Sequence, residues 1–125
     1  MTHVTRVGRV MVPVADQDAA IAFYVAKLGF AVVADVPFGE GERWVEVAPP
    51  AGGAALALVP ATDHYPTGRM TGIALGSANP RGDHEGLRAS GVDVDDALMG
   101  GDGGVPLLFF FRDVDANQLM IVEDR

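Results

Sequence analysis

Apolar and polar residues alternate along the start of the chain, with Val10, Val12 and Val14 on one side and Arg9, Met11 and Pro13 on the other. A period of two predicts a strand with one face against a core. Asp16 then stands as a helix-capping residue, the run to Leu28 predicts a helix, and Gly29 supplies its left-handed stop. Residues 30–36 and 43–48 read as strands on either side of Gly39-Glu40-Gly41-Glu42. After the turn cluster Pro49 to Gly53, a fourth strand runs from Ala54 to Val59. The predicted order is βαβββ.

The pattern then repeats at a constant offset of 63 positions. Val10 to Asp16 maps onto Ile73 to Asn79, and Leu56 to Val59 maps onto Leu119 to Val122. A period this long, occurring twice, indicates two copies of one supersecondary unit. The second copy opens with a strand over Thr71 to Gly76, and Asn79-Pro80 gives a cap followed by proline at the first helical position. Its helix is expected to end at Gly91 and to be weak, because Gly82 and Gly86 each cost about 1 kcal/mol relative to alanine. Val92 to Val94 starts a short strand, and Gly100 to Gly104 forms a hairpin connection. Leu107 to Arg112 pairs with Asn117 to Glu123 around the turn Asp113-Val114-Asp115-Ala116. The chain therefore reads as a single α+β domain over 1–125, built from modules 4–60 and 71–124 with a polar connection over 61–70.

If helices cover one side of each sheet, bulky aliphatics belong on that side and functional residues on the other. Val10, Val12, Val14, Leu56, Leu58, Ile73, Leu75, Leu119 and Ile121 share the core parity. The opposite parity carries Arg9, Met11, Ala57, Gly72 and Met120 among others. Assigning Val45, Val47, Leu108 and Phe110 to the core adds Trp44, Glu46, Leu107, Phe109 and Phe111 to this second face. Small residues that leave room, beside aromatics and methionines that line it, describe a ligand cavity. The same residues also suit the filling of a closed barrel or a contact between two copies.

Composition narrows the chemistry. There is no cysteine, which excludes disulfides, thiolate nucleophiles and sulfur-ligated zinc. Nine scattered Lys and Arg in a chain of net charge −8 argue against a nucleic-acid surface. No stretch approaches the roughly 20 apolar residues of a membrane helix, and the N-terminus leads straight into the first strand. A soluble cytoplasmic protein is the expectation. His3, His64 and His84 all read as solvated; of the three, His64, with Tyr65, stands in the inter-module connection, a loop of the kind that can fold over a site mouth. Asp113, Asp115 and Asn117 have oxygen donors at alternate positions but lack the calcium-loop pattern, and Asx-turn chemistry explains them. Gly100 to Gly104 lacks the lysine and Ser/Thr of a phosphate loop, and no serine stands on a strand-turn-helix elbow.

The repeat, the run from Asp16 through Phe23-Tyr24 to Leu28-Gly29-Phe30, and the turn Phe111-Arg112-Asp113-Val114-Asp115-Ala116-Asn117 together resemble the glyoxalase / bleomycin-resistance / extradiol-dioxygenase family, the vicinal-oxygen-chelate superfamily. The resemblance implies two βαβββ modules forming an open eight-stranded cup, commonly in a homodimer. Family enzymes hold a divalent metal with His, Gln or Glu from the first and fourth strands of each module. Carried onto this sequence, those positions are Arg9, Ala57, Gly72 and Met120, none of which is a usable ligand. Metal-free members that sequester a drug are the nearer likeness.

The expected function is thus metal-independent and cofactor-free binding of an apolar or aromatic small molecule, with Arg9, Met11, Trp44, Glu46, Phe109, Phe111 and Met120 lining the site. Arg9 could grip a ligand carboxylate or phosphate, or pair with Glu46, or do both. An alternative is a lyase or isomerase in which Glu46 is the base and Arg9 stabilises an oxyanion. A second alternative is a non-catalytic dimeric interaction domain.

Overall fold

A computed structural model describes residues 1–124. It divides into two compact units, the first spanning Met1–Pro66 and the second starting at Thr67. The first contains β1 (Arg9–Val14), α1 (Gln17–Leu28), β2 (Ala31–Pro37), β3 (Arg43–Ala48) and β4 (Ala55–Pro60). The second contains β5 (Met70–Ser77), α2 (Pro80–Ala89), β6 (Asp93–Val94), β7 (Leu108–Arg112) and β8 (Gln118–Glu123). Both are βαβββ, as the repeat predicts, and the class is α+β.

Each unit holds one four-stranded sheet, ordered β1-β4-β3-β2 in the first and β5-β8-β7-β6 in the second. In each, the first and fourth strands pair in parallel and the others antiparallel. The repeat persists in the register: Val12 faces Leu58 in the first unit, and Leu75 faces Ile121 in the second. Divergence is greatest in β6, which keeps only two residues where β2 has seven.

Local chemistry sets the helices. The Asp16 carboxylate accepts from the backbone N–H of Asp18 and Ala19 at 2.8 and 3.1 Å, satisfying two donors that the helix start leaves unpaired. The Gln17 amide donates to the backbone oxygens of Arg43 and Leu58 at 3.0 and 2.9 Å, tying α1 to β3 and β4. At the other end, Tyr24 is fully buried against Phe23 and Phe30. The Phe-Tyr and Leu-Gly-Phe segments thus form one aromatic cluster that locks the end of α1.

In α2 the Asn79 side chain accepts from Gly82 N–H at 3.1 Å. A Cβ at position 82 would lie 2.5 Å from the Asn79 amide nitrogen. Gly82, which the sequence reading counts only as a weakness, leaves the space that the cap occupies. The helix ends at Ala89, before the expected Gly91, and Val92 N–H bonds back to the Leu87 oxygen at 3.0 Å.

The core of the first unit is Val12, Val14, Ala20, Tyr24, Phe30, Val45, Val47, Leu56 and Leu58, lying between sheet and α1. That of the second includes Leu87, Val92, Phe109, Phe111, Leu119 and Ile121, and lies between sheet and α2. Among the described residues no helix is long and apolar enough to cross a membrane.

Side-chain oxygens of Asp113 and Asn117 organise the hairpin turn between β7 and β8. Asp113 Oδ1 accepts from the backbone N–H of Asp115 and Asn117 at 2.9 and 3.0 Å, and fully buried Asn117 accepts from Gly68 and Arg69 N–H at 3.0 and 3.3 Å. The Asp113 bonds are those of an Asx turn. Those of Asn117 stitch the turn to the chain entering β5.

Two expectations need correction. His84 is buried rather than solvated. Its ring stands edge-on to Phe109 at 5.0 Å, and its Nε2 lies 2.6 Å from the Asp95 backbone oxygen. Phe109 and Phe111 do not face away from the helix. They sit opposite Ile121 and Leu119, and cross-strand partners in an antiparallel pair share a face, so both are core residues. Phe110 and Leu108 take the outer parity instead, Phe110 opposite Met120.

Candidate functional site

The helix-free face of the first unit gathers the polar chemistry. Trp44 and Glu46 alternate on β3 and so project to the same side. Glu46 stands in register with Ala57 on β4 and Ala34 on β2, and Ala57 in turn with Met11 on β1. One row across the sheet therefore reads Met11, Ala57, Glu46, Ala34, a single carboxylate between two methyl groups.

Arg9 lies on β1, two strands from Glu46, a span of about 9–10 Å. Its side chain crosses β4 to donate from Nε to Glu46 Oε2 at 3.0 Å. Only small side chains on β4 permit that route, and the β4 residues on this face next to Arg9 and Met11 are Ala55 and Ala57. The Trp44 indole N–H donates to the same Oε2 at 2.5 Å. The Glu46 side chain is 9% exposed, whereas that of Arg9 is 51% exposed. The carboxylate is thus sunk in the face with two donors on one oxygen, and the guanidinium end remains in the open. Among the described residues, neither terminal guanidinium nitrogen of Arg9 has a partner.

Aromatic and apolar surface surrounds this cluster. Phe38 packs edge-on against Trp44 at 5.9 Å, and Val36 is the cross-strand neighbour of Trp44. Phe38, Val36 and Met11 are all exposed. Tyr65, from the segment after β4, donates its hydroxyl to the Met11 backbone oxygen at the outer edge of β1, while His64 beside it is exposed. The sequence reading brings Arg9, Met11, Trp44 and Glu46 together on one face, and the structure does the same. It misses Phe38 and Val36, although Asp35 between Ala34 and Val36 provides the alternation that places Val36 beside Trp44.

Met120 belongs to the second unit. On its helix-free face it pairs with Ala74 and Phe110. Met11 opposite Ala57 in the first unit and Met120 opposite Ala74 in the second are the same pair with the strands exchanged. Gly72 lies in an irregularity of β5, where the register slips between Met70 and Ala74, and it adopts a left-handed φ of 73°.

The four positions at which family enzymes hold metal do not fit an ion. The Arg9 guanidinium is cationic and committed to Glu46, Ala57 and Gly72 have no side-chain donor, and Met120 offers a thioether. Among the described residues no group of three His, Cys, Asp or Glu comes together elsewhere.

Comparison with known proteins agrees with this architecture. A sequence model of the Glyoxalase/Bleomycin resistance protein/Dioxygenase superfamily matches residues 6–121. The uncharacterized protein YetH of Bacillus subtilis (strain 168) is 29% identical, over 96% of this chain and 99% of its own length. TnmS3, an antibiotic binding protein from Streptomyces sp. CB03234, superposes with a TM-score of 0.85 at 31% identity, with full coverage of both chains. A member of the same superfamily from Sphaerobacter thermophilus DSM 20745 gives 0.88 at 28% identity, covering 98% of this chain and 100% of that one.

Proposed function

The chain belongs to the Glyoxalase/Bleomycin resistance protein/Dioxygenase superfamily, and we propose that within it this protein is a metal-independent binder of a planar, largely apolar small molecule. The observation that carries the reading is the helix-free face of the first unit, where Arg9 reaches across the alanines of β4 to a sunken Glu46 beside Trp44. An aromatic wall with a few fixed polar groups is what orients a flat guest. The donor-poor character of the four family metal positions supports the same reading, as does the likeness to TnmS3. The proposal includes a homodimer, the arrangement that the family resemblance implies.

Trp44 is the only tryptophan, so its fluorescence reports on this face alone. Titration with planar polycyclic aromatic compounds is expected to change Trp44 emission with a Kd in the micromolar range or below, corresponding to about −8 kcal/mol. Native mass spectrometry of the same sample is expected to show a dimer. Absence of any emission or melting-temperature response across such a panel overturns the binding reading. A reaction on one of those compounds that Glu46→Gln abolishes would replace it with the enzymatic one.

A further inference from the structure

The Arg9–Glu46–Trp44 geometry says more about the guest than that it is flat. Glu46 uses one oxygen to fix both neighbours: Oε2 accepts from Trp44 Nε1 and from Arg9 Nε. The guanidinium is thereby held by its Nε edge. Its two terminal nitrogens have no partner among the described residues, and half of the side chain is exposed. A guanidinium anchored in this way is a preorganised pair of donors for an oxyanion, and charge-assisted forks of this kind are the strong ones. Beside it stand Trp44 and the exposed Phe38, packed edge to face.

We infer that the helix-free face of the first unit recognises an aromatic ring bearing a carboxylate, Arg9 binding the carboxylate and Trp44 with Phe38 receiving the ring. Glu46 is a positioning residue, acting through Arg9 and Trp44 without touching the guest. The inference rests on the binding reading above and adds the charge and polarity of the ligand. In a protein of net charge −8 the selection of an anion must be local, and Arg9 is the group that supplies it.

The test uses two probes that share a ring system and differ in charge, 2-naphthoate and 2-naphthamide, titrated against the full chain with Trp44 emission as readout. Wild-type protein is expected to prefer the carboxylate by about tenfold. Arg9→Gln should abolish the preference, the two probes then binding within about twofold of each other. Should Arg9→Gln not fold, Arg9→Lys carries the test: it keeps the charge but not the fork, and is expected to retain only part of the preference. Raising NaCl from about 0.05 to about 0.5 M should narrow the wild-type preference. Equal wild-type affinities overturn the inference and leave the binding reading standing, and a preference indifferent to Arg9→Lys and to salt also overturns it. Failure to bind either probe overturns the inference, and the binding reading falls with it only where the wider aromatic panel is silent as well. Trp44 emission that shifts on dilution of unliganded protein, without response to either probe, means that a second copy covers this face and likewise ends the inference.

Discussion

Ala57 decides whether the polar cluster exists at all. It is fully buried although it stands on the helix-free side of its sheet, in register with Met11 on one side and Glu46 on the other. Arg9 has to pass over this row to reach Glu46. Ala57→Leu keeps the residue apolar but fills that passage, so Arg9 must swing outward and leave Glu46 sunken without its cation. The variant is expected to lose about 1–3 kcal/mol in urea denaturation, with a shift of Trp44 emission because the indole and Arg9 share one acceptor. An unchanged midpoint and emission would show that Arg9 reaches Glu46 by another route. Glu46 and Arg9 were legible in the sequence as a pair on one face, because β1 and β3 alternate cleanly. The size of the residues on the strand between them decides that they meet, and this follows only from the strand order.

At the scale of the element, both units use one device to clamp strands. Arg43 on β3 forms a fork with Asp35 on β2, at 3.1 and 2.8 Å, and reaches Asp18 on α1 at 2.9 Å. Arg112 on β7 forms a fork with Asp93 on β6, at 3.1 and 3.0 Å, and reaches Asp95 at 2.7 Å. Hydrogen bonds from Arg43, aided by its charge, hold Asp35 below its ordinary value of 3.8, and Arg112 does the same to Asp93. A carboxyl group whose pKa is lower folded than unfolded stabilises the fold above its unfolded pKa, and the contribution is lost as pH falls through the folded one. Melting temperature is therefore expected to fall below about pH 4, and the double variant Asp35→Asn, Asp93→Asn should show a shallower decline over that window. An identical acid limb in the variant would assign the loss to other carboxylates. The sequence showed the strands that these forks join but misplaced one of their faces. Leu107 to Phe111 is apolar throughout, so it has no alternation from which to read a side. The clean alternation of Leu119, Met120 and Ile121 opposite, once the register is known, puts Phe109 and Phe111 in the core. His84 was misread for a related reason: flanked by Asp83 and Glu85 it looks solvated, yet its place on the inner side of α2 sets it against Phe109.

For the molecule as a whole, the repeat makes the chemical question one of four positions rather than of any single residue. An ion site of the family kind draws on the first and fourth strands of both modules. A single unsuitable residue could be offset by a neighbour, but here Arg9, Ala57, Gly72 and Met120 depart together. Glu46, the carboxylate in register with Ala57, already serves Arg9 and Trp44. At Gly72 the departure reaches the backbone, since the left-handed φ and the slipped register of β5 remove the regular strand on which a ligand would stand. Restoring one donor would therefore not restore a site. Protein incubated with zinc, manganese, nickel or ferrous iron and then desalted is expected to carry well under one ion per chain by plasma mass spectrometry, and chelator should leave its melting temperature unchanged. Introducing Ala57→Glu alone should not alter that result, whereas an ion retained at one per chain by the unmodified protein would mean that donors outside these four positions converge, and would reopen metal-dependent chemistry for this member of the superfamily.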